Sequence, residues 1–235
     1  MLQLDGIEVA MDSGPLRASF ELAPGARVAV VGPSGAGKST LLDAIAGFRP
    51  LTKGRVLWHG KDIGKDAPSK RPMSILFQDG NLFPHLTVSR NLALAVRPDG
   101  WRPSTAQQAD MERALSRVGL DGFGNRMPAT LSGGQRSRVA LARVLLQARP
   151  VLLLDEPFAA LGPAMKNEML DLVQEITTES GALVLLVTHD PKDAARFAQE
   201  IVLVENGRVE NPAPTANFLN DPPEAFRTYL GDTSL

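Results

Sequence analysis

Three short runs of apolar residues each end in glycine or in polar residues. They are VAVVG at 28–32, VLLLDEP at 151–157 and LVLLVTHD at 183–190. Continuous apolar runs of this length are typical of strands buried on both faces of a parallel sheet. Ligands of open α/β sheets bind beyond the carboxyl ends of the strands. We therefore expect the polar residues that follow these runs to share one edge of the sheet.

Helical patterns alternate with these runs. KSTLLDAIAGF ends with Gly47 and Phe48, TAQQADMERALSRVGL covers 105–120, and PAMKNEMLDLVQEITTES covers 163–180. Strands and helices in alternation predict a βαβ arrangement, with a parallel sheet flanked by helices.

Two parts of the chain depart from this alternation. LQLDGIEV, RASFEL and GRVLWHG predict an antiparallel β layer, and residues 84–148 are mainly helical. We predict a single domain over 1–235, in which a core of 1–83 and 149–235 carries an inserted helical subdomain at 84–148. Four prolines after Asn211 predict a tail of short, interrupted helices.

Composition narrows the classes of function. The 235 residues are 43% hydrophobic and 22% charged, with a formal net charge of −1 and no cysteine. Such a chain buries a full core, and its charge argues against a nucleic-acid partner. The absence of cysteine excludes disulfides, thiolate metal sites and cysteine nucleophiles. The opening MLQLDGIEVA is unlike a secretory signal, and the longest apolar runs fall short of the roughly 20 residues of a membrane helix. We expect a soluble, cytoplasmic chain.

The stretch GPSGAGKSTLL carries the first chemical signal. Residues 32–39 match G-x-x-x-x-G-K-[ST] between a predicted strand and a predicted helix. Its glycines let backbone N–H groups approach phosphate oxygens, Lys38 can reach the β- and γ-phosphates, and Ser39 can ligate Mg²⁺. The alternative is a tight turn with a solvated lysine. The predicted ATP-binding residues are Gly32, Pro33, Ser34, Gly35, Ala36, Gly37, Lys38, Ser39 and Thr40.

A pair of carboxylates ends the run VLLLDEP. Asp155 is suited to hold Mg²⁺, usually through water, and Glu156 to act as general base on an attacking water. The alternative is that both residues only cap the following helix.

The stretch LSGGQRSRVALAR at 131–143 resembles the signature of ATP-binding-cassette (ABC) ATPases. Four of its residues, Ser132, Gly133, Gly134 and Gln135, are predicted at a helix N-terminus, which is a second surface suited to anions. In that family this surface completes the active site of the opposite subunit. Taken alone, the stretch is also consistent with a simple helix cap before an amphipathic helix.

The resemblance covers the whole chain, because Gln78 in ILFQDGNLFPHLTV and His189 in LLVTHD follow the family order. It implies that Gln78 contacts Mg²⁺ and the attacking water, and that His189 contacts the γ-phosphate. Without the family, Gln78 is an ordinary polar loop residue and His189 a structural histidine.

The family also implies an assembly. Two copies would bind head to tail around two ATP, and a membrane permease subunit would dock near Gln78–Leu86. A periplasmic substrate-binding protein would act indirectly, and the chain would lie peripherally on the cytoplasmic face of the inner membrane. Leu82, Phe83 and Leu86 are predicted to form an apolar patch at the docking segment, unless Phe83 is buried.

Two positions depart from the family pattern. The family usually has an adenine-stacking aromatic residue after the first strand, where EVAMDSGPL offers Met11. It also has an aspartate that helps to join the two sites of the dimer, where FAALGPA has Gly162. Met11 predicts weaker discrimination of adenine, because methionine has no π-face.

The cargo is a finer prediction. Within the family, the block SKRPMSILFQDGNLFPHLTVSRN and the short chain resemble the ATPase subunits of bacterial thiamine importers. This resemblance implies uptake of thiamine or thiamine phosphate. The ATPase of another importer, or of an exporter or lipid-extraction system, remains the alternative. Two further classes are weaker alternatives. A non-transport ABC ATPase would normally carry a coiled-coil insertion or a second cassette, and a P-loop kinase has no use for LSGGQ.

Overall fold

The computed structural model describes residues 1–78, 82–100, 102–223 and 226–227. The strands are β1 (Leu2–Val9), β2 (Leu16–Leu22), β3 (Arg27–Val31), β4 (Lys53–Trp58), β5 (Lys61–Asp62), β6 (Met73–Leu76), β7 (Val151–Asp155), β8 (Leu183–Val187), β9 (Glu200–Glu205), β10 (Arg208–Val209) and β11 (Ala213–Pro214). They lie in the order β5-β4-β1-β2-β10-β9-β3-β8-β7-β6, and β11 pairs with β9.

The helices follow the sequence patterns closely. The predicted helix over 105–120 ends early, at Arg117, because Gly119 adopts a φ of +68° and turns the chain. The helices are α1 (Lys38–Ala46), α2 (Val88–Val96), α3 (Thr105–Arg117), α4 (Gly133–Leu146), α5 (Pro163–Ser180), α6 (Pro191–Phe197) and α7 (Thr215–Asn220). No helix in these described ranges is long and apolar enough to cross a membrane.

Half of the sheet is parallel, as the apolar runs predict. Strand β3 lies between β8 and β9, and β7 lies between β8 and β6. The register pairs Asp155 with Val187 and Leu76 with Leu154, so the carboxyl ends of β6, β7 and β8 lie at one edge. Strands β6 and β9 were not predicted from the sequence.

The other half of the sheet is the predicted antiparallel layer. Strands β1, β2, β4 and β5 pair antiparallel, and the inward positions of β2 alternate with exposed ones. Strand β10 joins the halves: it pairs antiparallel with β9 and parallel with β2 at Arg17. The sequence predicted the layer, and the structure adds its continuity with the parallel strands.

Apolar clusters cover both faces of the parallel strands. On one face, Leu41, Leu42 and Ile45 of α1 are fully buried between these strands and the antiparallel layer. On the other face, α5 and α4 pack against the sheet. Helix α4 also contributes Val139 and Ala142 to a separate cluster with α2 and α3. Helix α1 packs against one face of the parallel strands and α5 against the other. The side chains at the carboxyl ends of these strands are therefore held on rigid elements.

Candidate functional site

The segment 32–37 connects the end of β3 to the start of α1. Gly32 has a φ of +147°, and a Cβ there would lie 2.1 Å from the carbonyl oxygen of Val204. Gly37 is the N-cap of α1 with a φ of +108°, and a Cβ there would lie 2.8 Å from the Met11 sulfur. Both positions therefore require glycine, and the backbone between them is left bare next to a helix N-terminus.

Lys38 lies over this loop. Lys38 is only 7% exposed, and its Nζ donates to the carbonyl oxygens of Gly32 and Pro33 at 2.8 Å each. Burial lowers the pKa of Lys38, and the negative charges of Glu156 and Asp155 oppose this shift. A partly desolvated ammonium at the first turn of a helix is a strong partner for an anion.

Ser39 and Asp155 meet across the gap between α1 and β7. The Ser39 hydroxyl donates to Oδ1 of Asp155 at 3.0 Å. Burial raises the pKa of Asp155, the hydrogen bond from Ser39 opposes this shift, and the carboxylates of Glu156 and Asp43 add to it. A hydroxyl and a carboxylate crowded by further negative charge form an oxygen donor set that a hard divalent cation fits.

Glu156 and His189 form the next pair along the same edge. The Glu156 backbone N–H donates to the carbonyl of Val187 at 3.2 Å, which fixes the residue beside the end of β8. Its Oε2 lies 3.0 Å from Nδ1 of His189. Glu156 also adopts a φ of +44°, a left-handed conformation that is uncommon for a residue with a Cβ. Such backbone strain is concentrated at functional sites in proteins.

Gln78 follows the end of β6 and is exposed. Because Leu76 pairs with Leu154 in the neighbouring strand, Gln78 lies at the edge that also carries Asp155 and Glu156. The predicted docking segment Gln78–Leu86 is described only in part, since 79–81 lie outside the described residues.

The rest of that segment differs from the predicted patch. Phe83 is 46% exposed, so it is not a core residue. Leu82 instead packs against two core clusters, and Leu86 is half-buried. Asn91, which the sequence analysis missed, is fully buried under the segment: its Oδ1 accepts from the Phe83 N–H, and its Nδ2 donates to the carbonyls of Phe83 and Leu86. The signal was a polar residue on the apolar side of the helix VSRNLALAV, three positions after Val88 and next to Leu92.

The predicted signature residues start α4. Ser132 is the N-cap, and its hydroxyl accepts from the Gln135 N–H while the Gln135 side chain accepts from the Ser132 N–H. Gly133 is exposed, whereas Gly134 is buried against Met165 of α5, since a Cβ on Gly134 would lie 2.1 Å from its sulfur. The predicted helix N-terminus at these residues is confirmed, and their role toward a second subunit stays a prediction.

The two departures from the family pattern lie in different settings. Met11 is half-buried, and its sulfur packs against Gly37, so it lies beside the nucleotide loop. Gly162 is the exposed N-cap of α5, where no side chain bonds the first turn, and a Cβ there would meet nothing within 4 Å. The structure thus gathers the glycine loop, Met11, the acidic pair, His189 and Gln78 at one edge, and places residues 132–135 on another helix.

Comparison with known proteins agrees with this geometry. Residues 16–159 match the family model described as ABC transporter. The chain therefore belongs to the ABC transporter family, with the P-loop NTPase fold and the nucleotide binding that membership entails. The predicted family and fold class are confirmed.

The chain is also similar to particular relatives. It is 56% identical to the thiamine import ATP-binding protein ThiQ of Cereibacter sphaeroides, over 98% of this chain and 100% of the relative. It is 55% identical to the protein of the same name from Ruegeria sp., again over 98% and 100%. Among solved structures, the dimeric bacterial ABC transporter cassette MJ0796 is 29% identical, with a TM-score of 0.78 over 92% of this chain and 99% of that one.

Proposed function

We propose that this chain is the ATP-hydrolysing subunit of an importer of thiamine or thiamine phosphate. The observation that carries the ATPase is the contact of Ser39 with Asp155 beside the Lys38 loop, with Glu156 and His189 next in line. The names of the relatives, at 55% and 56% identity over nearly the whole chain, support thiamine as the cargo.

The glycine loop and α1 bind the phosphates of ATP. Residues 32–40 offer backbone N–H groups and a helix N-terminus, and Lys38 adds a full positive charge next to them. The Lys38 ammonium donates to two carbonyls of this loop, which keeps its charge beside the proposed phosphate site. Met11 lies at the side of the loop where the base would pack.

Ser39, Asp155 and Gln78 would hold Mg²⁺ at this site. The fit rests on the Ser39–Asp155 contact and on the negative charge that surrounds Asp155. When bound, Mg²⁺ supplies charge neutralisation and orientation of the β- and γ-phosphates.

Glu156 serves as the general base. Its carboxylate accepts a proton from the attacking water as the water oxygen bonds to the γ-phosphorus and the bond to the β–γ bridging oxygen breaks. His189 pairs with Glu156 through Nδ1 and thereby orients the carboxylate, and its ring is the predicted contact to the γ-phosphate.

Two copies of the chain form the working unit. Residues 132–135 of one copy complete the ATP site of the other, so that ATP closes the dimer and loss of phosphate opens it. The dimeric state of the solved cassette supports this arrangement.

Within each copy, we assign residues 1–83 and 149–235 to the core and residues 84–148 to the helical subdomain.

The unit drives a membrane permease. The exposed Phe83, held by Asn91, gives the segment Gln78–Leu86 an apolar contact for a permease subunit. The periplasmic substrate-binding protein delivers the vitamin to that permease, and the chain lies peripherally on the cytoplasmic face of the inner membrane. Nucleic acid is not among the partners, in keeping with a net charge of −1.

Uptake in cells tests the cargo and the motor together. Cells that lack the chromosomal copy are complemented with the native chain, Lys38→Ala or the exposed-lysine control Lys61→Ala, and initial uptake of radiolabelled thiamine is measured. We expect the native chain and Lys61→Ala to restore uptake, and Lys38→Ala to fail at equal protein level. If deletion leaves thiamine uptake intact while the purified chain hydrolyses ATP, the cargo is wrong and the ATPase stands.

A further inference from the structure

Lys166 in the first turn of α5 makes two ion pairs with the segment that carries His189. Its Nζ lies 2.6 Å from Oδ2 of Asp190 and 2.8 Å from Oδ1 of Asp193. The Lys166 and Asp193 side chains are only 17% and 10% exposed. Pairs withdrawn from water in this way resist screening and are costly to break by removal of one partner.

The two aspartates both follow His189 and are bonded to Thr188, which precedes it. The Thr188 hydroxyl donates to Oδ2 of Asp193 at 2.8 Å and accepts from the Asp190 N–H at 3.0 Å. Asp190 also caps α6, since its Oδ1 accepts from the Lys192 N–H at 2.9 Å. His189 therefore sits in a short loop whose neighbours are bonded to one another and to α5 through Lys166.

The charges in this cluster support each other. Burial opposes the charge of Lys166, but hydrogen bonds to Asp190 and Asp193 outweigh it and raise the pKa of Lys166. Burial likewise opposes the charge of Asp190, and the bonds from Lys166 and the Lys192 backbone outweigh it and lower the pKa of Asp190. Both shifts favour the charged forms of Lys166 and Asp190, and so favour their ion pair.

We propose that Lys166 is a positioning residue for ATP hydrolysis. It holds the segment 188–193, which joins β8 to the first turn of α6, so that the His189 imidazole stays on Glu156. This inference rests on the proposed function, since it takes His189 and Glu156 as parts of the hydrolytic site. The chain of contacts runs from α5 through Lys166 to Asp190, and from the adjoining His189 to Oε2 of Glu156. Without Lys166, two carboxylates face each other beside His189, and their repulsion loosens the loop.

The chain offers a matched control. Arg196 of α6 donates from Nε to Oδ1 of Asp171 in α5 at 2.8 Å. This ion pair joins the same two helices, but both side chains are more exposed, at 44% and 54%, and neither residue lies in the segment 188–193. Removal of Arg196 therefore tests for a general loss of α5–α6 packing.

Steady-state kinetics of ATP hydrolysis provide the first test. We expect Lys166→Met to lower kcat by about tenfold to a hundredfold with a small change in KM for ATP, because the hydrolytic groups lose their alignment. Lys166→Arg should recover most of the loss, and Arg196→Met should leave kcat within about twofold of the native value. In a His189→Ala background Lys166→Met should add little. An equal loss of kcat in both backgrounds would show that Lys166 does not act through His189.

A spectroscopic arm needs no ATP hydrolysis. The chain has three histidines, so the imidazole Cε1–H resonances of His59, His85 and His189 can be assigned by single substitutions. Lys166→Met should shift or broaden the His189 resonance alone, and Arg196→Met should move none of the three. An unmoved His189 resonance in folded Lys166→Met overturns the proposal.

A native chain that hydrolyses no ATP would overturn the proposed function instead, and the resonance measurement would still test the positioning role of Lys166. If Lys166→Met does not fold, Lys166→Gln replaces it in both arms.

Discussion

Oε2 of Glu156 lies 3.0 Å from Nδ1 of His189, although 33 residues separate them along the chain. The contact follows from the sheet, because β7 and β8 are parallel neighbours whose register pairs Asp155 with Val187. The residues just beyond each strand are then forced together at the same edge. The parallel register of β7 and β8 therefore brings the proposed base and its partner together.

Substitution of Glu156 by Gln removes the proposed base and keeps the shape of the side chain. We expect kcat for ATP to fall by about 10²–10⁴. Because ATP then persists, we also expect a stable dimer with Mg-ATP by light scattering, whereas the native chain hydrolyses ATP and stays mostly monomeric. The exposed control Glu112→Gln should behave as the native chain. If Glu156→Gln binds ATP and remains monomeric, the permease organises the dimer, or Gly162 has weakened its contact.

Asp155 should make the nucleotide-free protein less stable as the pH rises. Burial raises its pKa in the fold, so the stability linked to this group is fully present below the ordinary pKa near 4 and is lost as pH rises through the folded pKa. We expect Asp155→Asn to melt about 2–4 °C above the native chain at pH 7, and the difference to vanish below about pH 3.5. Mg-ATP should stabilise the native chain more than the variant, which keeps the phosphate loop but lacks one of the proposed Mg²⁺ ligands. A variant that is less stable at pH 7 without nucleotide would contradict this account.

The sequence was informative where structure is set by neighbours along the chain. The apolar runs of β3, β7 and β8 predicted their strands, and the boundaries of α5 agree at both ends. Strand β6 has four residues, too few for a periodic signal. Strand β9 has an apolar run, IVLV, between two glutamates, but no chemically informative residue follows it, and its place depends on pairing with β3.

The same division holds for the site. The loop at 32–40 and the acidic pair were predicted because each is one contiguous stretch with its own chemistry. The contacts of Lys166 with Asp190, and of Asn91 with Phe83, were missed. Lys166 and Asp190 are 24 positions apart in sequence and meet through the packing of α5 against α6, so residue type and spacing do not show their contact. Asn91 is visible in the sequence as a polar residue next to apolar ones, but the carbonyl and N–H groups that it bonds are not.

Gly162 should accept an aspartate without strain. It is the N-cap of α5 in an extended conformation with φ −65° and ψ 156°, and a Cβ there meets no atom within 4 Å. An Asp side chain can accept from the N–H groups of the first turn, so we expect Gly162→Asp to add a few tenths of a kcal/mol to the free energy of unfolding. Gly162→Ala, which lacks an acceptor, should not stabilise the chain in this way.

The same variant tests the dimer contact. If the aspartate of the family joins the two ATP sites, Gly162→Asp should change turnover or its cooperativity with ATP concentration, while Gly162→Ala leaves both unchanged. Kinetics of Gly162→Asp identical to those of the native chain would show that this position is passive here.

Met11 should determine how well the site distinguishes adenine from guanine. Its sulfur packs on Gly37 of the nucleotide loop, so the side chain is anchored where a base would lie against it. A thioether packs on any purine face, whereas an aromatic ring adds stacking worth about 0.5–1.5 kcal/mol, or roughly 2- to 10-fold in affinity. We therefore expect Met11→Tyr to tighten ATP binding by that factor and to raise the ATP:GTP preference, as measured by titration of each nucleotide against the purified chain. Met11→Leu keeps the volume without a ring and should match the native chain. If Met11→Tyr leaves both affinities unchanged, the base is held by other groups, and the missing aromatic residue has no consequence for nucleotide choice.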